Sequence, residues 1–142
     1  YLEETHPEPA LLPAHPAARA RARALALAVA ADIHPIDNLR VLKYLTAELG
    51  ASDDQKTAWY RHWIEEGFAA IEAMLRDSRD TGRFCHGDAP TLADCCLVPQ
   101  VFNARRFRVD LSPYPTIAAI ERECLALNAF DRARPEKQGD AE

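Results

Sequence analysis

Methionine is almost missing from this chain: Met74 is the only one, and none opens it. No apolar run approaches the roughly 18 residues that a membrane span needs, and the first residues carry no signal-peptide pattern. The four cysteines, Cys85, Cys95, Cys96 and Cys124, form no CxxC pair and no regular spacing. Cys95 and Cys96 are neighbours in a helical stretch and cannot both join a simple disulfide framework, so reduced thiols in a cytoplasmic protein are expected. Cys85 and His86 lack a matching second ligand pair, so no metal site is expected. Positive charge is also short. The formal net charge is −5, which argues against general nucleic-acid binding. Missing as well are an alternating strand pattern, internal repeats, a Ser/His/Asp arrangement, a glycine phosphate loop and paired catalytic carboxylates.

What is there is helix. Apolar residues make up 48% of 142 and charged residues 27%, ordinary for one compact domain with its own core. The chain is organised around Gly87–Phe107, GDAPTLADCCLVPQVFNARRF. Thr91 is an N-cap, and Asp94 can reach back to the Thr91 N–H in a capping box. From Leu92 to Phe102 nearly every residue is apolar, which predicts a helix in the middle of a bundle. Pro99 inside it predicts a kink. Leu92, Cys95, Pro99, Phe102 and Arg106 make one stripe of that helix, read as its core face. Its last member is a guanidinium, which must either snorkel to water or meet an anion.

Taken in order, Tyr1-Leu2-Glu3-Glu4 looks like the last turn of a helix whose beginning lies upstream, so the chain is expected to be the downstream part of a longer protein. Residues 5–16 are a Pro-rich connector with Leu11 and Leu12 as an apolar plug. From Ala17 an Ala-rich helix begins, with Ala22, Leu25, Ala26, Val29 and Ile33 on its core face. Arg19, Arg21 and Arg23 read as a solvated face. Pro35 interrupts the helix, and DNLRVLKYLTAELG resumes it, ending at Gly50 as a C′ glycine. Ser52 and Gln55 form the next capping box. Two strips follow on one wide aromatic core face: Trp59, Trp63, Ala70 and Met74, then Tyr60, Ile64, Phe68, Ile71 and Leu75. Arg76 to Gly87 is a polar loop. Thr116 to Leu127 is a last helix, and Asn128 to Glu142 an irregular charged tail. The expected architecture is an all-α bundle of four to five helices.

Few residues could carry chemistry. His34 and Asn38 are i, i+4 neighbours at the Pro35 irregularity. They read either as a polar cluster that satisfies the break or as part of a ligand site. Asp37 and Arg40 could pair on the surface, a contact worth little. Arg105 reads as a rim charge. Arg106 is the one candidate anion site.

Several stretches together carry a family resemblance: YLEETHPEPALLP, DIHPIDNLRVLKYL, GDAPTLADCCLVPQVFNARRFRVDLSPYPTI and ARPEKQGDAE. The chain resembles the C-terminal helical domain of zeta-class glutathione transferases, the maleylacetoacetate and maleylpyruvate isomerases. The resemblance implies that residues 1–16 end an N-terminal thioredoxin-like domain and link it to a helical domain over 17–142. It implies a cytoplasmic homodimer that uses glutathione to convert a maleyl to a fumaryl keto acid, most simply maleylacetoacetate, in the breakdown of aromatic compounds. The other readings are a glutathione transferase of different specificity and a non-catalytic transferase-like interaction domain. By resemblance, Arg106 in NARRF is the carboxylate-binding arginine, His34 in DIHP and Asn38 in DNL are glutathione contacts, and Arg40 matches an arginine of bacterial members. Asp37 departs from the Asn or Gln of the family pattern. The residues that stabilise the thiolate belong to the N-terminal domain, so Cys95 and Cys96 are not assigned that role.

Overall fold

The computed structural model describes residues 1–141, and among them every named element is helical, with one isolated β-bridge between Thr81 and Gly87. The elements are α1 (Leu2–Thr5), α2 (Pro16–Leu27), α3 (Leu39–Ala47), α4 (Asp53–Arg76), α5 (Leu92–Arg106), α6 (Pro115–Leu125) and α7 (Asn128–Arg132). α2 runs on through a π-turn, Ala28–Ile33, and a single α-turn, His34–Ile36. The all-α expectation holds, with α2 to α6 as the substantial helices. The tail differs from expectation, because it is not irregular throughout. Past α7 a 3₁₀ turn, Pro135–Lys137, follows, and Asp131 joins Arg134 and Lys137 in ion pairs. Among the described residues, no helix is long and apolar enough to cross a membrane.

Local signals start and stop these helices where the sequence places them. Pro16 and Pro115 occupy first turns, where the missing N–H costs nothing. Both capping boxes form, Ser52 with Gln55 and Thr91 with Asp94. Gly50 follows α3 at φ 66°, the left-handed conformation that a C′ glycine supplies.

α5 lies at the centre, packed on α2 and α6, while α4 packs on α6 and the π-turn. Its buried face is not the expected one. Ala93, Leu97, Val101 and Ala104 are buried, whereas Pro99 is exposed and Phe102 is 38% exposed. A helix that is apolar on nearly all sides gives periodicity no face to choose. The choice goes to the small residues: Ala93 and Ala104 let α2, with its buried Ala22 and Ala26, come close. The helix is continuous through Pro99. Along α4 the strip Tyr60, Ile64, Phe68, Ile71 and Leu75 is buried as expected. The Trp59–Met74 strip lies at the margin, and Met74 is exposed.

Two polar residues fasten the loop that precedes α5. Asp94, fully buried, accepts hydrogen bonds from the Thr91 N–H and hydroxyl and from the Cys85 N–H at 2.7 to 2.9 Å. It therefore ties the loop after α4 to the start of α5. Arg21 is a clamp rather than a solvated charge. Its guanidinium donates to the Cys85 carbonyl at 2.6 Å and to the Thr81 hydroxyl at 2.7 Å, holding the 77–87 loop against α2.

Candidate functional site

The arm that carries His34, Asn38 and Arg40 is shaped by Pro35. A proline inside a helix has no N–H to donate, and its ring crowds the carbonyl four residues back. The chain widens into the π-turn just before it, where the His34 N–H donates to Val29, five residues back. Helical geometry then fails at Asp37 (φ −100°, ψ 6°). Asn38 turns extended (φ −63°, ψ 148°), and its side-chain oxygen accepts from the Arg40 N–H at 3.1 Å, capping α3. His34 and Asn38 therefore do not share one helical face; they lie on either side of a break. α4 holds the arm in place. The Trp59 indole donates to the Ile36 carbonyl at 3.1 Å. Gly67 has no side chain, so Ile33 can approach to where a Cβ would sit only 2.3 Å from its Cδ1.

The C-terminus of α5 supplies the opposite group. Arg106 is exposed, with its guanidinium carbon 5.7 Å from the Phe107 ring centroid. Phe107 is stacked on Tyr60, centroids 3.6 Å apart and planes 13° apart. Its carbonyl accepts from the Arg61 Nε at 2.7 Å. Arg108 then turns the chain away at φ 58°. Tyr60 is where arm and helix end meet. Burial raises the pKa of its phenol, the Asp37 carboxyl raises it further, and the Arg106 guanidinium lowers it.

Among the described residues, His34, Arg40 and Arg106 make no salt bridge, and His34 and Arg40 are exposed. Asn38 uses its oxygen as a cap, which directs its amide hydrogens elsewhere. Arg106, Arg40, His34 and the Asn38 amide are thus each left with donor hydrogens of the kind that carboxylates accept. The surface pair expected between Asp37 and Arg40 does not form: Asp37 is buried and Arg40 exposed. Arg105 is not a simple rim charge either, since it makes a two-pronged pair with the buried Glu121 of α6. Among the described residues no thiol is held as a thiolate. Burial, with the Asp94 carboxylate behind it, raises the Cys85, Cys95 and Cys124 thiols, and burial alone raises Cys96.

Tyr60, the neighbour of both Asp37 and Arg106, is what sequence reasoning missed, whereas Asp37 was singled out but placed on the surface. Tyr60 reads correctly as core, which hides its second role. For Asp37 the sequence signals are an acid two residues after the helix-breaking Pro35 and its departure from the Asn or Gln of the family pattern. A separate cavity of about 510 Å³ lies between α5, α6 and the tail, lined by Val98, Phe102, Leu125 and Phe130. None of the candidate residues lines it, and the two arginines that do, Arg105 and Arg134, are already paired with Glu121 and Asp131.

Residues 54–132 match the family described as Glutathione S-transferase, C-terminal domain. The chain is 53% identical over 141 residues to a probable maleylacetoacetate isomerase of Vibrio cholerae, covering 99% of this chain and 65% of that relative. It superposes at TM-score 0.97 and 53% identity on the holo structure of a maleyl pyruvate isomerase described as a bacterial Zeta-class glutathione-S-transferase, covering 99% of this chain and 66% of that one. A maleylacetoacetate isomerase of Anaeromyxobacter dehalogenans, with bound dicarboxyethyl glutathione and citrate in its active site, gives TM-score 0.92 at 50% identity, over 99% of this chain and 62% of that one. The chain thus spans less than two thirds of each. The family match takes in α4, α5 and α6, the helices that hold Tyr60 and Arg106, and the chain belongs to the glutathione S-transferase C-terminal domain family.

Proposed function

We propose that this chain is the helical domain of a glutathione-dependent cis–trans isomerase that converts a maleyl to a fumaryl keto acid, maleylacetoacetate in the first instance. On this reading residues 1–16 link it to an upstream thioredoxin-like domain, and residues 17–142 form the helical domain of a cytoplasmic homodimer. The observation that carries the proposal is Arg106: an exposed guanidinium, braced over Phe107 at the end of a central helix and without a carboxylate partner among the described residues. A cation held this way on a rigid element is ready for an anionic ligand.

Glutathione fits the donor set, since it carries two carboxylates and the arm offers His34, the Asn38 amide and Arg40. When bound, it would supply a thiolate that adds reversibly to the cis double bond, so that the bond can rotate. The helical domain's own part is electrostatic. Arg106 holds a substrate carboxylate and stabilises negative charge as it builds next to the carbonyl. His34, Asn38 and Arg40 orient glutathione, and Tyr60 with Phe107 keeps the floor between them apolar. The raised thiols take no part.

In the intact protein that contains this domain, isomerisation of maleylacetone should require added glutathione. Arg106→Ala should lower kcat/KM by roughly 10- to 100-fold, the loss of one charged hydrogen bond. Because Arg106 is exposed, folding stability should move by no more than about 0.5 kcal/mol. Turnover that is equal without glutathione, or wild-type kcat/KM in Arg106→Ala, refutes the proposal.

A further inference from the structure

The arm conceals a group for which the proposed binding chemistry has no use. Asp37 is 5% exposed, and neither carboxylate oxygen has a hydrogen-bond partner among the described residues. Ionising such a group is costly unless donors or water reach it. It sits where the backbone is already broken, between the turn that ends at Ile36 and the Asn38 cap of α3. From α4, Tyr60 faces it, and from α5, Arg106 acts on the same phenol with opposite sign. On its own segment His34 and Arg40 are exposed. Among the described residues no cation is paired with it.

We infer that Asp37 is a positioning residue for the anion site, keeping the His34–Arg40 arm packed while neutral and loosening it when ionised. The inference rests on the glutathione reading above. A neutral carboxyl lets the break stay folded against Tyr60 and Trp59. An ionised one needs water, and the nearest yielding element is its own turn, which carries the Asn38 cap and Arg40 with it. Burial raises the carboxyl from 3.8 to about 7, so the change falls near neutral pH. Anion binding is then strongest below that point and weaker above it.

The test is calorimetric binding of S-methylglutathione, whose blocked thiol cannot titrate, to the intact protein at pH 6 and pH 8. If only the neutral form binds, the competent fraction falls from about 0.9 to about 0.1, a roughly tenfold loss of affinity. Wild type and a His34→Gln control, which removes the imidazole of the same arm, should both show that loss. Asp37→Asn should bind equally at the two pH values. Equal steepness in Asp37→Asn and wild type, or flattening by His34→Gln, overturns the inference. A wild type that binds no S-methylglutathione at any pH refutes the glutathione site and the inference with it. Carbon-13 NMR of the Asp37 carboxyl in unsubstituted protein guards against a variant that fails to fold. A midpoint near 7 is expected, and one below about 5 overturns the inference.

Discussion

Asp94→Asn isolates the contact that ties the start of the central helix to the loop before it. The change preserves size and removes one acceptor. In the native protein Oδ2 accepts from the Thr91 N–H at 2.7 Å and the Thr91 hydroxyl at 2.9 Å, while Oδ1 accepts from the Cys85 N–H at 2.9 Å and faces the Cys124 thiol at 3.8 Å. All four partners are donors. An asparagine must point its amide hydrogens at one of the two backbone N–H groups. The Thr91 hydroxyl and the Cys124 thiol can rotate away, but a backbone N–H cannot. One buried donor left without a partner costs about 1–3 kcal/mol, and a weakened N-cap adds about 1 kcal/mol. The expected loss is therefore about 2–4 kcal/mol, a large share of an ordinary domain's stability. Urea unfolding measures it: the midpoint should fall with the slope unchanged, since the folded and unfolded surfaces are the same. The amide of Cys85 or of Thr91 should also exchange faster than its neighbours. A loss under about 0.5 kcal/mol, the scale of an ordinary surface change, would show that these donors find other partners and that Asp94 is not the fastening point.

Two further outcomes follow from the arm. Asp37 has its pKa raised from 3.8 to about 7 in the folded state. The protein is therefore free of its burial penalty below pH 3.8, loses stability as pH rises, and bears the full penalty above about 7. At about 1.4 kcal/mol per unit the limit is about 4 kcal/mol, so Asp37→Asn should stabilise markedly at pH 8 and hardly at pH 4. Equal shifts at both pH values in thermal unfolding would refute this. Gly67→Ala gains about 1 kcal/mol of helix propensity, but its Cβ would sit 2.3 Å from Ile33 Cδ1 and Cγ1. Overpacking of about 1–3 kcal/mol should win. In an Ile33→Ala background the same change should become neutral or favourable. A double-mutant cycle with no coupling would rule the close approach out.

Contributions that depend on residues three or four apart were legible in the sequence alone. Both capping boxes, the Gly50 stop and the Tyr60–Leu75 core strip follow from local geometry, because every partner lies within a turn or two of the chain. The break at Pro35 was legible for the same reason, and Arg106 stood out as a charge at the end of an apolar stripe. Where the inference named the wrong partners, they came from elsewhere in the chain. Which side of α5 turns inward was settled by the alanines of α2 that pack against it. Arg21 became a clamp because the 77–87 loop returns to it across the fold. Asp37 is a buried carboxyl rather than a surface charge, with Tyr60 of α4 close enough to feel it, and Arg106 lies exposed over Phe107 with no ion pair among the described residues. Helix starts and stops are i, i+3 chemistry, written in the sequence. The burial of a charge, and hence its pKa and its availability to a ligand, depends on what distant segments bring over it, and only the tertiary structure decides that.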